Sequence, residues 1–170
     1  MKKIWLQHYP AGVPHEVDTA TYASIADVFA QSCQRYHDRP AFSSLGTTLD
    51  YEEVERLTRN FAAYLQQHCG LVKGDRLAIM MPNVLQYPVV LFAAFRAGLI
   101  VVNCNPLYTP RELEHQLKDS GAKAIVVLEN FARTVQDVVN ETAVKTIVTT
   151  QLGDLFPPIK GLLTNLVIKY

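Results

Sequence analysis

The chain has 170 residues, 49% hydrophobic and 19% charged, which is enough for one full core and too apolar for intrinsic disorder. Sixteen basic and sixteen acidic side chains cancel, and this removes the long-range attraction on which a nucleic-acid binder relies. Cys33, Cys69 and Cys104 are an odd, widely spaced set that excludes a secreted disulfide framework and fits a reducing cytoplasm.

Residues 1–23, with Pro10, Gly12 and Pro14, show no sustained period and read as an extended lead-in. The apolar opening breaks at Gln7 and His8, too soon for a signal peptide. Ser24 offers its hydroxyl to a helix start, with Asp27 placed to answer the cap. Ile25, Val28, Phe29 and Tyr36 fall on one face of that helix, and Arg39-Pro40 is expected to end it. Residues 41–45 and 47–50 read as two short strands around Gly46. Asp50 then caps a second helix, with Glu53 completing the box. Val54, Leu57, Phe61, Leu65 and His68 form its stripe, and Gly70 closes it in the left-handed conformation.

From Gly74 onward the pattern becomes a repeat of strand and helix. Strands are predicted at 76–81, 100–103, 124–128 and 146–150, with helices at 83–97, 109–119 and 131–139. Elements in this alternation select an α/β fold: a mostly parallel sheet with right-handed crossovers and helices on both faces. Any ligand would then meet the carboxyl ends of the strands. Pro88 removes a hydrogen bond from the 83–97 helix unless that helix begins later than drawn. Arg96 lies within the longest apolar stretch, 84–102, and argues for a buried helix and strand there, not a membrane span. Thr109, Pro110 and Glu112 agree on a helix start, Glu114 and Lys118 are in the favoured order for an exposed ion pair, and Gly121 ends the helix. Beyond Pro157-Pro158, an apolar stripe of Leu162, Leu163, Leu166, Val167 and Tyr170 has nothing left in the chain to bury it. It either docks back, touches a membrane or meets further protein. The chain thus divides into a lead-in at 1–23, an α/β lobe at 24–156 and an amphipathic segment at 157–170.

The residues carry little overt chemistry. The first strand-to-helix junction, Met81-Pro82-Asn83-Val84, holds no glycine to let backbone amides approach a phosphate, and no Gly-rich phosphate loop occurs elsewhere. Cys33 with His37, and His68 with Cys69, lack a second pair at metal-site spacing. Cys104 follows a strand but reads as a packed thiol. The loop 103–110, with two asparagines and Tyr108 leading to a helix N-terminus, is the best place for ligand contact. Its two prolines and its cap read more readily as a rigid connection. The Tyr87 and Tyr108 hydroxyls could find backbone partners in the core.

Leu49-Asp-Tyr-Glu-Glu-Val54, Gly74-Asp-Arg-Leu-Ala-Ile-Met-Met-Pro-Asn83, Phe95-Arg-Ala-Gly98 and Asn103-Cys-Asn-Pro-Leu-Tyr-Thr-Pro-Arg-Glu-Leu113 together resemble the adenylate-forming ligase superfamily. Within it the similarity is to the bacterial long-chain fatty-acid CoA ligases, from Trp5-Leu6 to the end of the chain. Those enzymes are much longer, and this chain resembles their first third or so. Their phosphate loop, adenine- and ribose-binding motifs and catalytic lysine have no counterpart here. The resemblance therefore assigns no catalytic, cofactor-binding or metal residue to this sequence. It implies a parent enzyme that activates a long-chain fatty acid with ATP and Mg²⁺ to an acyl-adenylate and passes the acyl group to coenzyme A. The present segment would be inactive alone, bind none of these cofactors and partner the remainder of the ligase. It further implies a cytoplasmic protein, with loose inner-membrane contact through Leu162, Leu163, Leu166 and Val167. The rival reading is a free-standing, non-catalytic α/β binding or interaction module.

Overall fold

The computed structural model describes residues 2–168. The lead-in is exposed almost throughout, and its one regular stretch is a 3-10 turn at Ile4–His8. Helix α1 (Ile25–Arg35) starts where Ser24 Oγ accepts the Asp27 N–H at 3.1 Å. The Asp27 carboxylate accepts the N–H of Ala23, so the cap is single-sided. The helix stops short of Arg39-Pro40, because Tyr36 leaves the helical region (φ −123°, ψ 25°) and Pro40 already opens β1 (Pro40–Ser44). Its buried face is Phe29 and Cys33; Ile25 and Val28 are exposed, since only one narrow side of the helix meets its neighbours.

Strand β2 (Thr47–Asp50) pairs antiparallel with β1 through a two-residue turn. Leu45 (φ 49°) and Gly46 (φ 69°) are both left-handed there, the geometry that matches the twist of the flanking strands. Asp50 Oδ1 accepts the Glu53 N–H at 2.7 Å and starts α2 (Tyr51–Gln67). The expected box does not close, because the Glu53 carboxylate lies 3.6 Å from Arg56. Val54, Thr58, Ala62 and Leu65 are buried, Leu57 and Phe61 half-buried, and His68 is exposed against the ring of Tyr64. Gly70 (φ 66°) lets the Leu71 N–H reach the Leu65 carbonyl at 3.0 Å and terminates the helix.

The repeat follows: β3 (Arg76–Met80), α3 (Gln86–Arg96), β4 (Ile100–Asn103), α4 (Pro110–Ser120), β5 (Ala124–Leu128), α5 (Ala132–Val138) and β6 (Thr146–Thr150). The four strands form one parallel sheet in the order β4-β3-β5-β6. Alternation along β3 divides the core: Leu77 and Ile79 pack with Ala62, Leu65, Val90 and Ala93 of α2 and α3, whereas Ala78 and Met80 pack with Leu113, Leu117, Val135 and Val138 of α4 and α5. Each large side chain buried this way contributes roughly 1.5–3 kcal/mol, so the sheet is held from both sides.

Helix α3 begins at Gln86, later than the apolar pattern suggested, which puts Pro88 in the first turn where its missing N–H has no intrahelical acceptor to lose. Arg96 pairs with Glu55 of α2, and no described helix is long and apolar enough to cross a membrane. Helix α4 carries a complete capping box: Thr109 Oγ1 accepts the Glu112 N–H, and Glu112 Oε2 accepts the Thr109 N–H at 2.8 Å. Its exposed Glu114 and Lys118 pair as expected. Helix α5 is shorter than 131–139 because both its ends tighten into 3-10 turns.

Helix α6 (Pro158–Ile168) docks on the lobe through small and polar groups. Buried Gly161 lies against Gly153, Asn165 Oδ1 accepts the Gly153 N–H at 2.7 Å, and Lys160 Nζ donates to Thr47 Oγ1 at 3.0 Å and to the Leu45 carbonyl. The apolar stripe consequently faces outward, with Leu162, Leu163, Leu166 and Val167 exposed by 71, 56, 55 and 73%. Tyr170, the last residue assigned to that stripe, lies outside the described residues.

Candidate functional site

Parallel strands direct their carboxyl ends to one rim, and here that rim is built by the loops that follow β3, β4, β5 and β6. After β4 the chain runs through Asn103 to Pro110. Tyr87 Oη donates to Asn103 Oδ1 at 3.0 Å, Gln116 Nε2 donates to the Asn103 carbonyl at 3.0 Å, and the Leu107 N–H donates to Asn105 Oδ1 at 3.0 Å. The side-chain oxygens of both asparagines are thus engaged within the protein, and the geometry is that of a braced connection. Tyr108 packs half-buried against the layer below α4.

Cys104 is buried in that same layer, and burial pushes its thiol up to about 11. A thiol that stays protonated at neutral pH is not a nucleophile, so Cys104 is a packing residue. Burial likewise raises Cys33 to about 11, with Glu55 adding to the effect, and raises Cys69. Cys33 and His37 do not share a helix, because α1 has ended at Arg35 and exposed His37 turns to Asp38 at 3.6 Å. No three His, Cys, Asp or Glu side chains among the described residues converge as a metal site.

A second polar cluster, at the mouth between β5 and β6, escaped sequence reasoning. Gln86, 5% exposed, donates from Nε2 to the Gln151 carbonyl at 2.7 Å and the Leu152 carbonyl at 3.2 Å. Gln151 donates from its side chain to Glu129 and from its backbone to Asp154 Oδ2 at 2.8 Å, which also accepts from Thr150 Oγ1 at 2.9 Å. Asn165 Nδ2 reaches Asp154 Oδ1 at 3.3 Å, and a cavity of about 180 Å³ opens beside Glu129, Asn130 and Asn165. These bonds knit α3, β6 and α6 together and fix the rim. Gln86 was visible only as a polar interruption in an apolar run. Its partners lie more than sixty residues away, so spacing gave no signal.

A family model described as AMP-binding enzyme matches residues 29–162, most of the chain. The chain belongs to the AMP-binding enzyme family. Within that family it is 57% identical over all 170 residues to the long-chain-fatty-acid–CoA ligase of Escherichia coli O157:H7, and 34% identical over 168 residues to that of Bacillus subtilis. It spans 30% of the length of each of these relatives, corresponding to their N-terminal part. A solved long-chain-fatty-acid–CoA ligase from Archaeoglobus fulgidus superposes with a TM-score of 0.68 at 25% identity, over 74% of this chain and 27% of that one. The α/β architecture expected from the strand and helix repeat is therefore the family's own.

The β3–α3 turn, Met81-Pro82-Asn83-Val84-Leu85, has no glycine, and Leu85 makes no side-chain cap at the α3 N-terminus.

Proposed function

We propose that this chain is the N-terminal lobe of a long-chain fatty-acid CoA ligase, and that it supplies scaffold without supplying reacting groups. The observation that carries this reading is 57% identity along the whole chain to a protein of that name, of which the chain spans 30%. The complete enzyme would join a long-chain fatty acid to ATP, with Mg²⁺, as an acyl-adenylate and then transfer the acyl group to coenzyme A. In that enzyme the residues described here hold position. The two-sided core sets the plane of the sheet, the braced 103–110 loop fixes the β4 end of the rim, and the Gln86–Gln151–Asp154 network fixes the β6 end. The division into a lead-in at 1–23, a lobe at 24–156 and a terminal segment at 157–170 fits this role, because α6 docks from outside the sheet layers. The chain alone binds no ATP, Mg²⁺ or coenzyme A.

Fatty-acid-dependent ATP–pyrophosphate exchange tests the assignment. The chain alone gives none, whereas a chimera in which it replaces the matching part of the E. coli ligase turns over. Exchange by the isolated chain, or an inert but folded chimera, would sink the reading. The outward face of α6 supports a cytoplasmic protein that touches the inner membrane, since burying apolar area in the headgroup boundary is favourable. Liposome flotation of the chain with and without residues 159–170 decides this point, and equal flotation removes it.

A further inference from the structure

The turn between β1 and β2 holds a residue that its geometry does not favour. Both central positions are left-handed, a conformation that glycine and asparagine adopt readily and leucine does not. Gly46 suits its place. Leu45, at φ 49° and 62% exposed, gains no burial that would offset the conformation.

What meets this turn is Lys160 of α6, 115 residues later in the chain. Its ammonium donates to the Leu45 carbonyl and to the hydroxyl of buried Thr47, and lies 5.0 Å from the centre of the Phe156 ring. A Cβ on Gly46 would come within 3.5 Å of the same nitrogen, so ammonium and turn are in direct contact. Phe156 in turn packs in one cluster with Leu49 of β2 and Phe29 of α1. Helix α6 has little apolar hold of its own: Gly161 is its buried residue, and Asn165 ties it to the Gly153 N–H and to Asp154. An element held by so few apolar contacts opens locally at low cost.

We propose that Lys160 is a latch that makes α6 and the β1–β2 turn one two-state unit. With α6 seated, the ammonium holds the Leu45 carbonyl and answers the Thr47 hydroxyl, and the turn keeps its left-handed form. When α6 lifts, the turn loses both bonds at once and opens with it, because Leu45 by itself disfavours that form. Displacement of α6 is thereby felt at the N-terminal hairpin through a single side chain. The latch stands independently of the functional reading above.

Amide hydrogen exchange on the chain tests it, read at residues 43–48 and across α6, with β5 as the internal reference. Lys160→Met keeps the aliphatic stem and removes the donors; exchange is expected to rise about tenfold in both segments and to stay unchanged in β5. Gly161→Ala crowds the seat against Gly153 and has no hairpin residue among its near neighbours. It should nevertheless speed exchange at 43–48, an effect that vanishes once Lys160 is Met. Leu45→Asn, which suits the turn, should restore protection at 43–48 in the Lys160→Met background and leave α6 fast. Four outcomes overturn the proposal: no change in either segment, faster exchange in α6 alone, an equal rise in β5, or a hairpin that still answers Gly161→Ala with Lys160 removed.

Discussion

Gly153 and Gly161 meet backbone to backbone: a Cβ placed on Gly161 would lie 2.5 Å from the Gly153 carbonyl oxygen. No side chain fits between the turn after β6 and helix α6, so the helix seats only while both residues lack one. Gly161→Ala should push α6 off its seat at a cost of about 1–3 kcal/mol. Urea denaturation measures the cost, and faster amide exchange across α6 locates it. Leu162→Ser on the exposed face serves as the control and should change stability little.

Gln86 tests the rim network. Its Nε2 serves two carbonyls, and its Oε1 has no partner among the described residues. Gln86→Glu replaces that donor with an acceptor facing the Gln151 and Leu152 carbonyls. A loss on the order of 3 kcal/mol is expected near neutral pH, easing in acid as the new carboxyl protonates. Gln86→Leu removes the orphan acceptor as well and should cost less. Parallel denaturation curves at pH 7 and pH 5 would check the ranking.

The capping box of α4 predicts a smaller, local effect. Thr109→Ala removes the hydroxyl that accepts the Glu112 N–H and should cost about 1 kcal/mol. The change should appear as faster exchange in the first turn of α4, with β5 and α5 unaffected.

Two carboxylates contribute to the acid side of the stability profile. Asp75 is held below its ordinary value by Lys123, 2.6 Å away, and by the Val72 N–H; Glu112 is held below its ordinary value by the Thr109 N–H and hydroxyl. A lowered folded-state pKa means that the unfolded chain takes up the proton first. The stabilisation is fully present above the unfolded carboxylate pKa and is lost as pH falls through the folded value. Asp75→Asn and Glu112→Gln should therefore each flatten the fall in urea midpoint between pH 6 and about pH 3. An unchanged slope in both would contradict the assignment.

Thiol reactivity gives a check on burial. Cys33 and Cys104 are buried with thiols near 11, whereas Cys69 is only half-buried. A disulfide reagent at pH 8 should label Cys69 first and reach the other two only on unfolding. Peptide mapping of partially labelled protein would read the order.

The strands at Ile100, Ala124 and Thr146 were legible to the residue, because each is a β-branched or aliphatic run between a turn and a polar stretch. The Thr109 cap was legible too, its signals being local. Errors arose where neighbours decide. Ile25 and Val28 have helical spacing with Phe29, but only the Phe29 side finds a partner. Glu53 sits three residues after Asp50 yet prefers Arg56. No functional residue was legible, since the sequence offers neither a Gly-rich phosphate loop nor a second Cys/His pair at metal-site spacing. The Gln86 network arises from segments joined by the fold alone, and periodicity carries no trace of it.

The sheet order β4-β3-β5-β6 bears on how the protein is made. As the polypeptide leaves the ribosome, β3 emerges first, β4 settles on one flank, β5 on the other, and β6 on β5. Each arrival finds its partner already translated, so the lobe can assemble in the direction of synthesis, with no strand waiting for a later one to be inserted beside it.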